Sequence, residues 1–170
     1  MKPLKEMSIG ELGAFVCTHL EKNQISCTLS GGACVSIYSK NKYQSYDLDF
    51  IEKLSSTRKR KREVMALINF YEEGRYFKNE ETSFIIEFPA GPLGIGEEMV
   101  KDINQVVFET GELKMLTPTD CVKDRLAAFY HWDDNQCLEQ AIMVARAQNI
   151  DYENIKNWSK KERSLKKYNL

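Results

Sequence analysis

Apolar residues near the start of the chain recur at helical spacing. Leu12, Phe15, Val16 and Leu20 fall three or four positions apart, which places them on one helix face. Ser8 and Glu11 fit the S-x-x-E capping box, so a helix is expected over 9–22, ended by Asn23-Gln24. The pattern then shortens. Ile25 to Leu29 reads as a strand running into Ser30-Gly31-Gly32, and Val35, Ile37 and Tyr38 predict a helix over 33–39 whose first N–H groups lie beside the glycines. After a polar loop, 40–45, the segment Tyr46 to Ile51 reads as a strand carrying two aspartates. Val64, Leu67, Ile68 and Phe70 predict a helix entered at Arg58 and ending near Gly74. A short strand is expected over 75–78. A stronger one, Ser83 to Phe88, is stopped by Pro89 and holds a lone carboxylate, Glu87. Ala90 to Gly96 is glycine-rich but lacks the Gly-Lys-Ser/Thr ending of a phosphate loop, and reads as a connection.

Gln105–Glu109 and Leu113–Leu116, around Thr110-Gly111-Glu112, read as a hairpin. From there the chain turns helical. Thr117 can cap a helix with Pro118 in its first position, continued by Val122, Leu126, Phe129 and Tyr130. Leu138, Ile142 and Ala145 mark a second helix, and Ile155 and Trp158 a third over 152–161. The basic stretch 160–170 is expected to be a mobile end. Together these elements predict an α/β (α+β) fold, a small mixed twisted sheet with helices on it, spanning 1–116, and a helical C-terminal part over 117–170 packed on it as a single compact unit.

Composition narrows the class. In 170 residues, 42% are hydrophobic and 29% charged, which suits one globular domain with a proper core. A net charge of −1 excludes a bulk polyanion binder but leaves room for a local patch. Arg58-Lys59-Arg60-Lys61-Arg62 is such a run. A solvated helix face is its first reading, a contact to phosphate or RNA its second. No segment has the apolar length of a membrane span, and Met1 to Glu6 carries no apolar signal core. Cys17, Cys27, Cys34, Cys121 and Cys137 are scattered and lack Cys-x-x-Cys spacing, so they read as buried thiols of a cytoplasmic protein. His19 and His131 read as structural, and Trp132 and Trp158 as packing residues.

Asp47 and Asp49 change the picture. Side chains alternate along a strand, so both carboxylates share a face. That cluster is unfavourable unless a cation sits in it, and hard oxygen donors suit a divalent metal. Glu87 supplies a third carboxylate on a later strand, and Ser30-Gly31-Gly32 places backbone N–H groups at a helix N-terminus, where phosphates bind. Phosphoryl and nucleotidyl transfer need these parts.

Ser30-Gly31-Gly32, Asp47-Leu48-Asp49-Phe50, and Glu87 within Phe84-Ile85-Ile86-Glu87-Phe88 resemble the signature of the nucleotidyltransferase superfamily with the polymerase-beta-like fold. Within it the chain is similar to small bacterial proteins related to abortive-infection toxin nucleotidyltransferases. A second, weaker segment, Leu116-Thr117-Pro118-Thr119-Asp120 with Asp124-Arg125-Leu126-Ala127-Ala128, extends the resemblance over roughly Ser26 to Ala147. The resemblance implies that Asp47, Asp49 and Glu87 hold two Mg2+ ions, or Mn2+ in their place, with Glu87 alternatively acting as base. Ser30, Gly31 and Gly32 would hold the triphosphate of an NTP such as ATP. Arg125, where relatives often carry Lys, would contact phosphate, with Asp134 in the next helix orienting it. The acceptor hydroxyl implied is on RNA such as a tRNA end, on a protein or on a small alcohol. A cognate antitoxin is the implied protein partner. The chain departs from the superfamily pattern in the fourteen residues between Gly32 and Asp47, and in Gln44 where many relatives carry Arg. Two other classes compete: a catalytically silent binding module of the same fold, and an interaction protein docking through its basic run.

Overall fold

A computed structural model describes residues 1–170. Ser8 caps α1 (Ile9–Lys22) as expected: its hydroxyl accepts from Glu11 N–H, and the Glu11 carboxylate accepts from Ser8 N–H. Leu12, Val16 and Leu20 are fully buried on one face of α1, which packs against the sheet. The chain then builds β1 (Cys27–Ser30), α2 (Gly31–Tyr38), β2 (Asp47–Glu52) and α3 (Arg58–Ala66). Short strands follow: β3 (Tyr71–Glu73), β4 (Tyr76–Lys78), β5 (Ile85–Glu87), and the small separate hairpin β6 (Gly94–Ile95) and β7 (Glu98–Met99). The hairpin β8 (Ile103–Phe108) and β9 (Gly111–Leu116) completes the strands. The chain ends in α4 (Pro118–Trp132), α5 (Asn135–Ala147), α6 (Tyr152–Lys161) and α7 (Leu165–Tyr168). No helix is long and apolar enough to cross a membrane.

Seven strands form one mixed sheet in the order β3-β4-β5-β2-β1-β9-β8. β2 pairs β5 and β1 pairs β9 in parallel; the other neighbours are antiparallel. The mixed α/β architecture expected from the sequence is therefore present. One continuous apolar core runs from Met7 to Trp158 and draws on both halves of the chain, with Leu29, Phe50, Met115 and Trp158 among its buried members. α2 lies inside it: Ala33, Cys34 and Val35 have no exposure. All five cysteines are buried free thiols.

Four expectations need correction. α2 starts at Gly31 rather than Ala33, so both glycines belong to its first turn. α3 stops at Ala66, not near Gly74. Asn69 takes φ 60, its N–H donates to Ala66 O at 3.0 Å and that of Phe70 to Met65 O at 3.1 Å. This is a Schellman closure, in which a left-handed residue satisfies the last carbonyls and turns the chain back. Leu67, counted as part of the apolar face, is 69% exposed. The C-terminal tail is docked rather than mobile. Lys167 donates to Phe129 O and Tyr130 O and pairs with Asp133, placing its charge on the carbonyl end of α4. Trp132 is 81% exposed and packs no core, whereas Trp158 is buried against Tyr130.

Candidate active site

Strand register assembles the site. Ser30 on β1 lies opposite Asp49 on β2, Asp49 opposite Glu87 on β5, and Glu87 opposite Tyr76 on β4. Directly paired residues share a sheet face, so these four form a row across the sheet. Asp47, two residues before Asp49, joins the same face and is exposed. The intervening positions Leu48, Phe50 and Ile86 point the other way and are fully buried. Burial of that face locks the register, because a slip by one residue would put the aspartates in the core. Asp47, Asp49 and Glu87, all named from sequence, are thus brought onto one face.

The glycines do different work. At Gly31, φ is +68, and an added Cβ would lie 2.5 Å from Asp49 Oδ2. Only glycine permits both that backbone conformation and that close approach. The Asp49 carboxylate therefore lies against the start of α2, beside the first-turn backbone. At Gly32 a Cβ would sit 3.3 Å from Ser45 Oγ and from the Tyr43 ring. Ser30 precedes α2, but its hydroxyl donates to Asp49 O at 3.3 Å and caps no N–H, so its side chain fastens β1 to β2.

Asp49 is the electrostatically stressed member. Burial, then Glu87 and Asp47, push its carboxyl from 3.8 up to about 6. Arg125 pulls the other way and Asp124 adds to the rise, which puts α4 beside the row. Arg125 is mostly buried. Its Nε and Nη2 donate to Asp124 Oδ2 at 3.1 and 2.5 Å, and its Nη1 to Gln140 Oε1 at 3.4 Å. Burial opposes its charge, while Asp124 raises its pKa above the usual value. Asp134 caps α5 by accepting from Cys137 N–H at 3.1 Å. That bond holds its carboxyl below the usual range, with a smaller contribution from Arg125. The direct partners of Arg125 are therefore Asp124, Gln140 and, at 3.8 Å from Nη1, Cys137 Sγ; Asp134 makes no bond to it and is felt through the field.

Arg75 and Asp124 had no role expected from sequence, although Asp124 stands in the segment that carries the weaker resemblance. Arg75 Nε lies 3.4 Å from Glu87 Oε1 and its Nη2 donates to Tyr76 Oη at 2.6 Å. Arg75 sits in a segment whose pattern reports only secondary structure. For Asp124 the adjacent arginine was the available signal; for Arg75 there was none, since it is the β4–β5 pairing across an intervening loop that sets Tyr76 opposite Glu87. The cationic run behaves mainly as a solvated and paired face. Arg58 and Arg62 share Glu72, Lys61 pairs with Glu52 at 3.2 Å, and Lys59 lies 4.0 Å from Glu63.

The donor set is chemically suited to a hard divalent cation: three carboxylates on one face, one of them resisting ionisation. No three His, Cys, Asp or Glu side chains converge into a ready-made cage. Glu87 is turned to Arg75 instead, with its Oε1 3.4 Å from the guanidinium Nε.

The mixed sheet with β1, α2 and β2 at its centre is the nucleotidyltransferase fold. Solved structures at low sequence identity share it. A nucleotidyltransferase-like antigenic protein from Paracoccidioides brasiliensis superposes with a TM-score of 0.63 at 11% identity, over 84% of this chain and 78% of that one. The antibiotic-resistance factor ANT(2'')-Ia in solution gives 0.57 at 9% identity, over 92% and 91%. The same factor in complex with adenylyl-2''-tobramycin gives 0.58 at 9% identity, over 92% and 97%. No protein-family model and no curated protein sequence matches the chain.

Proposed function

We propose that this chain is a metal-dependent nucleotidyltransferase that moves a nucleoside monophosphate from an NTP to an acceptor hydroxyl, releasing pyrophosphate. The observation that carries the reading is the row formed by Asp49 and Glu87 with Asp47 beside it, set against the Gly31 backbone on this fold. Asp47, Asp49 and Glu87 would hold Mg2+ or Mn2+. When bound, such ions offset the charge on the attacking and leaving oxygens.

The remaining tasks fall to the chain itself. The first turn of α2 offers backbone N–H groups to the triphosphate, and Gly31 and Gly32 leave room for its approach. Arg125 presents a guanidinium from α4, its direction set by Asp124 and Gln140. Asp49 and Glu87 offer carboxylate oxygens that can accept the proton of the incoming hydroxyl.

The test is incubation with each radiolabelled NTP and Mg2+, offering RNA, protein and small alcohols including an aminoglycoside such as tobramycin. Label should appear on one acceptor class with the wild type and fall at least about a hundredfold with Asp47→Ala. Absence of transfer to every class, together with absence of NTP binding, overturns the reading. A second reading, a catalytically silent binding module, draws on the lack of a converged cage. It expects NTP binding without transfer. A toxin role with an antitoxin partner, carried by the sequence resemblance, expects growth arrest on expression that Asp47→Ala relieves.

A further inference from the structure

The β3–β4 hairpin brings to the carboxylates a cation that the proposed reaction does not use. Glu73 and Tyr76 pair across it with only Gly74 and Arg75 between them. Gly74 takes φ +65, as the first residue of a tight two-residue hairpin loop does. Arg58, the first residue of the cationic run, braces this turn from outside. Its Nη2 donates to Gly74 O at 3.1 Å and its Nε to Glu72 at 2.5 Å. Arg75 reaches inward along the row, its guanidinium 4.9 Å from the Tyr76 ring centre and its Nε 3.4 Å from Glu87 Oε1. Its side chain is 71% exposed, so the pair is weakly held and readily exchanged.

We propose that Arg75 is a displaceable counter-cation: it holds Glu87 in the metal-free site, yields that carboxylate to a divalent ion, and turns its guanidinium to the phosphates of the nucleotide. The proposal rests on the metal-dependent reading above. Two cations within a few ångströms of one carboxylate repel each other, so Arg75 and a metal compete for Glu87. Once released, the planar fork of Arg75 matches phosphate oxygens as a point charge would not. The short hairpin, braced by Arg58, keeps it within reach of the row. Part of the cationic run thus serves to position the turn rather than to bind a polyanion.

The experiment is calorimetric titration of Mn2+ into wild type, Arg75→Gln, Glu87→Gln and the double variant. A non-hydrolysable NTP analogue is then titrated in the presence of Mn2+. Arg75 is exposed, so its replacement leaves the fold intact. Arg75→Gln should bind Mn2+ about two- to five-fold more tightly than wild type, the range of an exposed ion pair. That gain should vanish in the Glu87→Gln background. The same variant should bind the analogue about two- to five-fold more weakly. If wild type binds Mn2+ and Arg75→Gln binds it no more tightly, or the gain persists without Glu87, competition is overturned while the metal reading stands. Equal analogue affinity overturns the phosphate role. If wild type binds no Mn2+ with or without the analogue, the metal-dependent reading itself fails.

Discussion

Replacing Asp49 with asparagine should stabilise the metal-free protein. Burial, Glu87 and Asp47 raise the Asp49 carboxyl from 3.8 to about 6. Each tenfold change in proton affinity is worth ~1.4 kcal/mol, so ionising Asp49 in the folded protein costs about 3 kcal/mol. Residual solvent contact trims this to about 2–3 kcal/mol. The direction with pH follows from linkage. Between 3.8 and about 6 the folded chain holds a proton that the unfolded chain has released, so wild-type stability falls as pH rises through that window. The Asp49→Asn substitution removes the charge and keeps the shape. Urea unfolding with a chelator present should therefore show Asp49→Asn ahead by about 2–3 kcal/mol at pH 7.5. For a chain of this length that is several degrees in Tm. The gap should close on approaching pH 4. Mg2+ should stabilise wild type and leave the variant unmoved, because a ligand of the folded state alone shifts the equilibrium by mass action. Equal stabilities at pH 7.5, or a gap unchanged by acid, would refute the view that Asp49 is held ionised against its surroundings.

Two further outcomes concern the frame around this carboxylate. Gly31→Ala forces a left-handed alanine, at ~1–2 kcal/mol, and drives its Cβ into Asp49 Oδ2. Chemical denaturation should register that loss, and Mn2+ titration should show weakened binding; unchanged Mn2+ affinity would show that the close approach is dispensable. Trp158 is buried at 1% exposure, stacks on Tyr130 and donates to Ile95 O at 3.3 Å. Trp158→Ala should therefore cost about 3–5 kcal/mol in urea unfolding, and a loss below about 2 kcal/mol would show that the C-terminal helices are not anchored there.

Much of this protein was legible in its pattern. The capping box at Ser8, the strand holding Asp47 and Asp49, the lone Glu87 and the order of the helices after Thr117 all depend on residues within a few positions of one another. Where the pattern misled, the cause was local geometry that periodicity does not encode. Asn69 closed α3 by adopting a left-handed conformation, although the apolar spacing continued through Leu67, Ile68 and Phe70. Lys167 seated a tail whose composition suggested freedom, because the carbonyl end of α4 offered it acceptors.

Alternation along β2 by itself determined that Asp47 and Asp49 share a face, since that follows from strand geometry at any position in any sheet. The tertiary structure alone decided which residues stand beside them. The parallel pairing of β2 with β5 set Glu87 against Asp49, the β1–β2 register brought Gly31 under its carboxylate, and the β4–β5 pairing set the hairpin that carries Arg75 beside Glu87. These neighbours come from distant parts of the chain. Register is chosen by burying Leu48, Phe50 and Ile86 together on the opposite face, a condition on the whole core that no single stretch of sequence contains.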